Sequence, residues 1–230
     1  MRKATMIVAR ERRLLKRTRP PVNFYAGVCR MKNPLQELGE KHAPSKRLHD
    51  YLKWYWLHFR DIRDSVQSIL EIGVHRGTSL RMWRDFFPNA WIHGMDINPD
   101  CVATLGERMH IHVGDQGDAA FLESVQEAGG PFDIVIDDGS HLPEHQLACF
   151  RFFIKQMAPN GIYVIEDIGV GRGHDRSWVN NCMKGLVDHI NYWDYDIESE
   201  GWLEMGRFPE HASWLDKNIV GVAFYRFICF

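Results

Sequence analysis

Nowhere does this sequence run apolar for anything near the roughly 18 residues that a membrane-spanning helix needs. Met6 to Ala9 is far too short for the apolar core of a signal peptide. A cytoplasmic protein with no membrane partner is therefore expected. The five cysteines, Cys29, Cys101, Cys149, Cys182 and Cys229, are odd in number and scattered, and none forms a C-x-x-C pair. That argues against a disulfide framework and a thiolate metal site, leaving buried or idle thiols. Internal repeats and low-complexity tracts are absent as well.

Acidic residues are scarce at the start of the chain: residues 1–30 hold nine Lys/Arg against Glu11 alone, for +8. Since the whole chain carries −2, residues 31–230 carry −10. The first region reads as a basic, flexible arm. A solvated tail is the commoner fate of such a segment, with nucleic-acid or anionic-membrane binding as the alternative. Met31 is a second candidate start, because MKNPLQELGEKH reads as the beginning of a folded region and Pro20-Pro21 marks a break before it. With 45% hydrophobic and 25% charged residues, the remainder has the composition of an ordinary globular protein, and residues 31–230 are read as one domain.

Leu52, Tyr55, Trp56 and Phe59 follow helical spacing, which predicts an amphipathic helix over 46–62. Strands and helices then alternate. Ser68 to Ile72, Trp91 to Met95, His110 to Val113, Phe132 to Ile136 and Gly161 to Ile165 read as strands, with helices near 78–87, 99–107, 117–128 and 143–157. This order implies an α/β fold with a mostly parallel, doubly wound sheet and helices on both faces. Residues 171–218 are irregular and rich in Trp, Gly and His, as in an insertion that covers a substrate, before a last strand at about 219–228. Trp178, Trp193, Trp202 and Trp214 are candidates for its acceptor wall.

Two acidic pairs carry the chemistry. Asp137-Asp138 in PFDIVIDDGSH and Glu166-Asp167 in GIYVIEDI each close an Ile/Val run that reads as a buried parallel strand. Carboxylates past neighbouring strand ends sit where α/β sheets bind ligands, and their hard oxygens suit magnesium or calcium. Asp138 alone could equally be a cap, but three carboxylates at two strand ends repel strongly without a cation. His141, three residues after Asp138, is a candidate base. The first strand runs into Glu71-Ile-Gly73-Val-His-Arg-Gly77, where glycines allow close approach of a ligand to the backbone. The second ends at Asp96, suited to ribose hydroxyls, and the third at Asp115-Gln116, suited to an adenine ring. Singly these acids are ordinary turn residues; in order at successive strand ends they favour a nucleoside site. His141-Leu-Pro-Glu-His145 also matches an inverted zinc-protease pattern, but Pro143 belongs to a first helical turn, which leaves His141 in the loop and off the helical face the motif requires.

Through EIGVHRG, the acidic end of the second strand and VGDQGD, the chain resembles class I S-adenosylmethionine-dependent methyltransferases. More narrowly, LEIGVHRGTSLRMWRDFFPNAWIHGMDI, FDIVIDDGSH and YVIEDI are similar to the magnesium-dependent O-methyltransferases of macrolide sugars, a pattern shared with cephalosporin-hydroxylase-like proteins. The His49-x-Tyr51 stretch is similar to the family's opening segment.

The resemblance implies a Rossmann-like, seven-stranded fold. It implies S-adenosylmethionine at Glu71, Gly73, Gly77, Asp96, Asp115 and Gln116, and magnesium held by Asp138, Glu166 and Asp167. His141 would be the general base, and the acceptor a sugar-containing small molecule or oligosaccharide. Divalent-cation chemistry suits such a reaction, since a sugar hydroxyl is a poor nucleophile until it loses its proton. Against another reaction type stands the lack of a two-His, one-carboxylate iron pattern. Against a non-catalytic or nucleic-acid-binding module stands the acidic trio with His141, which a pure binder does not need. The reading leaves oligomeric state open, a homo-oligomer included.

Overall fold

The computed structural model describes residues 33–104, 106–168, 177–190 and 213–230. The chain divides into two compact units, Met1–Pro34 and Leu35–Phe230, and the elements that follow build the second. The basic arm falls outside the described residues. In chain order these are α1 (Pro34–His42), α2 (Ser45–Leu48), α3 (Leu52–Phe59), β1 (Ser68–Ile72), α4 (Thr78–Phe86), β2 (Trp91–Asp96) and β3 (Met109–Val113). There follow α5 (Ala119–Gly129), β4 (Ile134–Asp137), α6 (Pro143–Phe153), β5 (Ile162–Glu166), α7 (Ser177–Ile190), α8 (Trp214–Asn218), β6 (Phe224–Tyr225) and β7 (Ile228–Cys229).

The strands form one seven-stranded sheet in the order β3-β2-β1-β4-β5-β7-β6. The first five are parallel, and β7 pairs antiparallel with both β5 and β6. Strands buried on both faces need apolar side chains at odd and even positions, and the sequence supplies them. Ile69, Ile134, Ile136 and Val164 point into a core with Tyr55, Phe59 and Trp83. Leu70, Ile72, Val135 and Ile165 point into the opposite core, with Val125, Phe150 and Phe153. At about 25 cal/mol per Å² of apolar surface these two layers are the main source of stability. Strand order reverses between β1 and β4, so a crevice opens at their carboxyl ends, the switch point of such a sheet. Asp133 Oδ2 locks the opposite end, accepting from the backbone of Gln67 and Ser68 at 2.7 and 3.0 Å.

The expected α/β sheet is therefore present, with four local corrections. The helix expected over 46–62 is two helices, α2 and α3, because Asp50 turns the chain at φ 60° and only the second carries the apolar spacing. The helix expected over 99–107 is a short 3₁₀ segment, Pro99–Thr104. That expected over 143–157 stops at Phe153. The single last strand becomes the pair β6 and β7, turned at Phe227 with φ 63°. Within 171–218, α7 and α8 are regular, and α8 is closed by a capping box between Ser213 and Asp216. Trp193 and Trp202 lie outside the described residues, and Trp214 opens α8 at 37% exposure. Among the described residues no helix is long and apolar enough to cross a membrane.

Candidate active site

The carboxyl ends of the parallel strands surround a cleft of about 750 Å³, within the usual size of a small-molecule site. Gly73, Asp96, Asp115 and Gln116 line one arm of it, and Asp138, His141 and Asp167 the other. Gly77 stands just behind, at the start of α4, with φ 63°.

The first arm is held by backbone. Gly73 leaves β1 at φ 92°, and a Cβ there would fall 2.2 Å from the Asp138 carbonyl oxygen. Only glycine permits β1 and the loop after β4 to pass so closely. Asp96 clamps the following turn: Oδ2 accepts from Val74 N and His75 N at 2.8 and 2.9 Å, and Oδ1 from Asn98 N at 2.9 Å. Burial would raise this carboxyl, but the N–H groups of Asn98, His75 and Val74 hold it below its ordinary value. It presents as a fixed anion at the cleft edge. Gln116 Oε1 accepts from Ser140 N at 2.7 Å, tying the end of β3 to the DDGSH loop, and Asp115 Oδ1 accepts from Gly117 N at 2.8 Å.

The second arm is held by side chains distant in sequence. The pleat sends alternate residues to opposite faces, so Glu71, Asp138 and Glu166 turn toward α2, while Asp137 turns the other way and is fully buried. At their meeting point lies Lys46, 0% exposed, its Nζ 2.8 Å from Glu71 Oε1, 2.7 Å from Asp138 Oδ2 and 2.6 Å from Glu166 Oε1. Burial by itself would lower this amine, and Asp138, Glu166 and Glu71 raise it well above its ordinary value. Glu71 also accepts from Ser79 Oγ at 2.8 Å, so its carboxylate lies beneath the cleft rather than in it. Glu166 accepts from the Tyr55 hydroxyl as well; burial, then Asp138, push it up to about 8 against the pull of Lys46.

Asp167 is free of that cluster and faces the cleft, its Oδ1 accepting from Tyr51 Oη at 2.7 Å. His141 approaches from the opposite side, Nε2 3.9 Å from Asp167 Oδ2. Asp138, His141 and Asp167 each offer a ligand atom, all within 4.8 Å of one another. Both His141 and Asp167 are left-handed, at φ 57° and 53°. His141 Nδ1 is enclosed with no hydrogen-bond partner. Asp138 and Asp167 converge as hard oxygen donors that fit a divalent cation, with the His141 imidazole at its edge. His145, from the first turn of α6, is not part of it: its Nδ1 meets Ser140 Oγ at 3.0 Å.

Seven of the ten expected site residues line the cleft, Gly77 stands just behind it, and the carboxylates of Glu71 and Glu166 lie one layer down on Lys46. Sequence reasoning missed Lys46 and Tyr55, whose only signal was membership of a helical, half-apolar stretch.

Residues 70–168 match the model of a methyltransferase domain family. The chain is 36% identical over 222 residues to mycinamicin VI 2''-O-methyltransferase of Micromonospora griseorubida, covering 89% of this chain and 54% of that protein. Demethylmacrocin O-methyltransferase of Streptomyces fradiae is 34% identical over 224 residues, with the same coverage of 89% and 54%. Residues 70–168 thus belong to a methyltransferase domain family, and the chain is related to the macrolide-sugar O-methyltransferases. The structure of the MycE methyltransferase from the mycinamycin biosynthetic pathway, in complex with Mg, SAH and mycinamycin VI, superposes on this chain with a TM-score of 0.71 at 34% identity. The alignment covers 87% of this chain and 53% of that one. The chain spans about half the length of the curated relatives it matches.

Proposed function

We propose that this chain transfers a methyl group from S-adenosylmethionine to a sugar hydroxyl of a glycosylated small molecule, a macrolide glycoside by analogy with its relatives, and that it requires magnesium. The observation that carries this reading is the meeting, in one cleft, of the glycine and Asp96 turn with the Asp138, His141 and Asp167 cluster.

Each residue has a role that its position supports. Asp96, fixed by three backbone N–H groups, sets the turn on which the ribose and the amino-acid part of the cofactor rest. Asp115 and Gln116 bound the adenine end. Asp138, Asp167 and Glu166 would hold magnesium, with Tyr51 fixing the Asp167 rotamer. Magnesium, when bound, acts as a Lewis acid that makes a neighbouring hydroxyl more acidic. His141 takes the proton from that hydroxyl, and its unpartnered Nδ1 leaves the ring free of a competing hydrogen bond.

The test is calorimetry on the full chain with S-adenosylmethionine and with NADH, each with and without magnesium, followed by turnover on glycosylated macrolides in magnesium and in EDTA. Binding of S-adenosylmethionine alone, and turnover silenced by EDTA, are expected. Preference for NADH, or full turnover in EDTA, would sink the reading.

A further inference from the structure

Three neighbouring carboxylates repel one another without a cation, yet the fold already supplies one to that place. Lys46 Nζ touches one oxygen each of Glu71, Asp138 and Glu166, from β1, from the loop after β4 and from the end of β5. It is delivered by α2, a four-residue helix set between two left-handed residues, Ala43 at φ 51° and Asp50 at φ 60°. Tyr51 N donates to the Lys46 carbonyl at 3.0 Å, and the Tyr51 hydroxyl then reaches Asp167. One short strap therefore carries both the ammonium and the clamp on the outermost carboxylate. Such an arrangement is more than charge neutralisation. Lys46 Nζ donates to Asp138 Oδ2 and stands in ion-pair range of Glu71 and Glu166, and each of Asp138 and Glu166 contributes only one of its two oxygens to it.

We propose that Lys46 is the resident cation of a two-cation centre: its ammonium permanently fills an inner place among Glu71, Asp138 and Glu166. The remaining oxygens of Asp138 and Glu166 are left, with Asp167, to a single exchangeable divalent ion. Lys46 is then a positioning residue with two effects. It fixes which carboxylate oxygens stay available, and its positive charge, sharing Asp138 and Glu166 with the divalent ion, keeps that ion's binding weak and limited to one equivalent. Coulomb repulsion between charges this close in a partly buried site is large enough to govern affinity. The inference rests on the metal-dependent reading of the cleft and deepens it.

Manganese is the probe, titrated into the full chain without substrate and followed by electron paramagnetic resonance and calorimetry. The wild type should bind one equivalent. Lys46→Met should bind manganese at least about tenfold more tightly, or take up a second equivalent, because the inner place now lacks its charge. One equivalent at wild-type or weaker affinity in the folded variant overturns the proposal. Should Lys46→Met fold only when manganese is present, the divalent ion has replaced the ammonium and the proposal stands; failure to fold even with manganese counts against it. Glu71→Gln provides an independent arm, since it removes one charge from the inner place and touches no residue assigned to the outer one. It should weaken manganese binding severalfold by leaving the ammonium less balanced, and unchanged affinity would overturn the proposal too. A wild type that binds no manganese refutes the functional reading itself, whereas a binding wild type matched by both variants refutes only the role of Lys46.

Discussion

On the side of the cleft built by β1, β2 and β3, polar atoms find partners in nearby backbone. Asp96 takes N–H groups from Val74 and His75, 22 and 21 residues upstream, and from Asn98 two residues on. On the side built by β4 and β5, the partners are side chains from far away: Lys46 reaches Asp138 across 92 residues, Tyr55 reaches Glu166 across 111 and Tyr51 reaches Asp167 across 116. The first arm is a turn that almost any sequence with its glycines and acid would form. The second exists only when the whole domain has folded, since its charges are tolerable only together. The difference separates a binding surface, which local geometry can build, from a reactive one, whose groups must be held against their own repulsion.

The comparison can be broken most sharply at His141. His141→Ala should lower turnover by about 10² to 10⁴, the usual worth of a positioned base, with S-adenosylmethionine and magnesium binding nearly intact. Single-turnover kinetics on an accepted glycoside would measure it, and a loss of cofactor affinity of the same size would show the two arms to be one unit.

Next comes the point where the arms touch. Gly73→Ala places a methyl 2.2 Å from the Asp138 carbonyl at a positive φ, so a loss of about 3 to 5 kcal/mol in urea unfolding is expected, with both cofactor and metal binding impaired. A stable variant would mean that the two strand ends can part without harm.

Asp96→Ala should cost S-adenosylmethionine affinity of about 1 to 3 kcal/mol, the worth of hydrogen bonds to a charged group, and leave manganese affinity unchanged. Calorimetry with each ligand separates the arms; equal loss of both would erase the distinction drawn here.

The smallest effect concerns the outer strands. His93 and His112 meet at 3.1 Å between β2 and β3, and burial, then neighbouring imidazoles, lower both to about 4. Unfolded histidines take up protons near 6.5, so the unfolded chain binds more protons between about 6.5 and 4. This contribution to stability is therefore complete above pH ~6.5, falls as the pH drops toward 4, and levels off below. A total of about 1 to 3 kcal/mol is expected for the pair, less than the full shifts imply because His112 is part-exposed. His93→Asn should flatten the slope of unfolding free energy against pH, while the magnesium dependence of turnover stays unchanged.

Residue pattern alone carried the sheet. The Ile/Val runs determined β1, β4 and β5, because burial on both faces demands apolar residues, and the alternation with helical periods placed β2 and β3 beside them and the edge at which acids and glycines would collect. It also determined that Asp138, His141 and Asp167 would lie near one another, since Asp138 and Asp167 directly follow neighbouring strands and His141 lies in the loop after the first of them. What only the tertiary structure decided is which acids face the cleft and what neutralises the rest. The pleat puts Asp137 and Asp138 on opposite faces, and Glu166 beneath Asp167, a parity that shifts with a single residue of register. Lys46 carries no motif, and its meaning comes from three carboxylates brought to it by strands that are remote in sequence, where low dielectric makes an unpaired charge intolerable and a paired one nearly immovable.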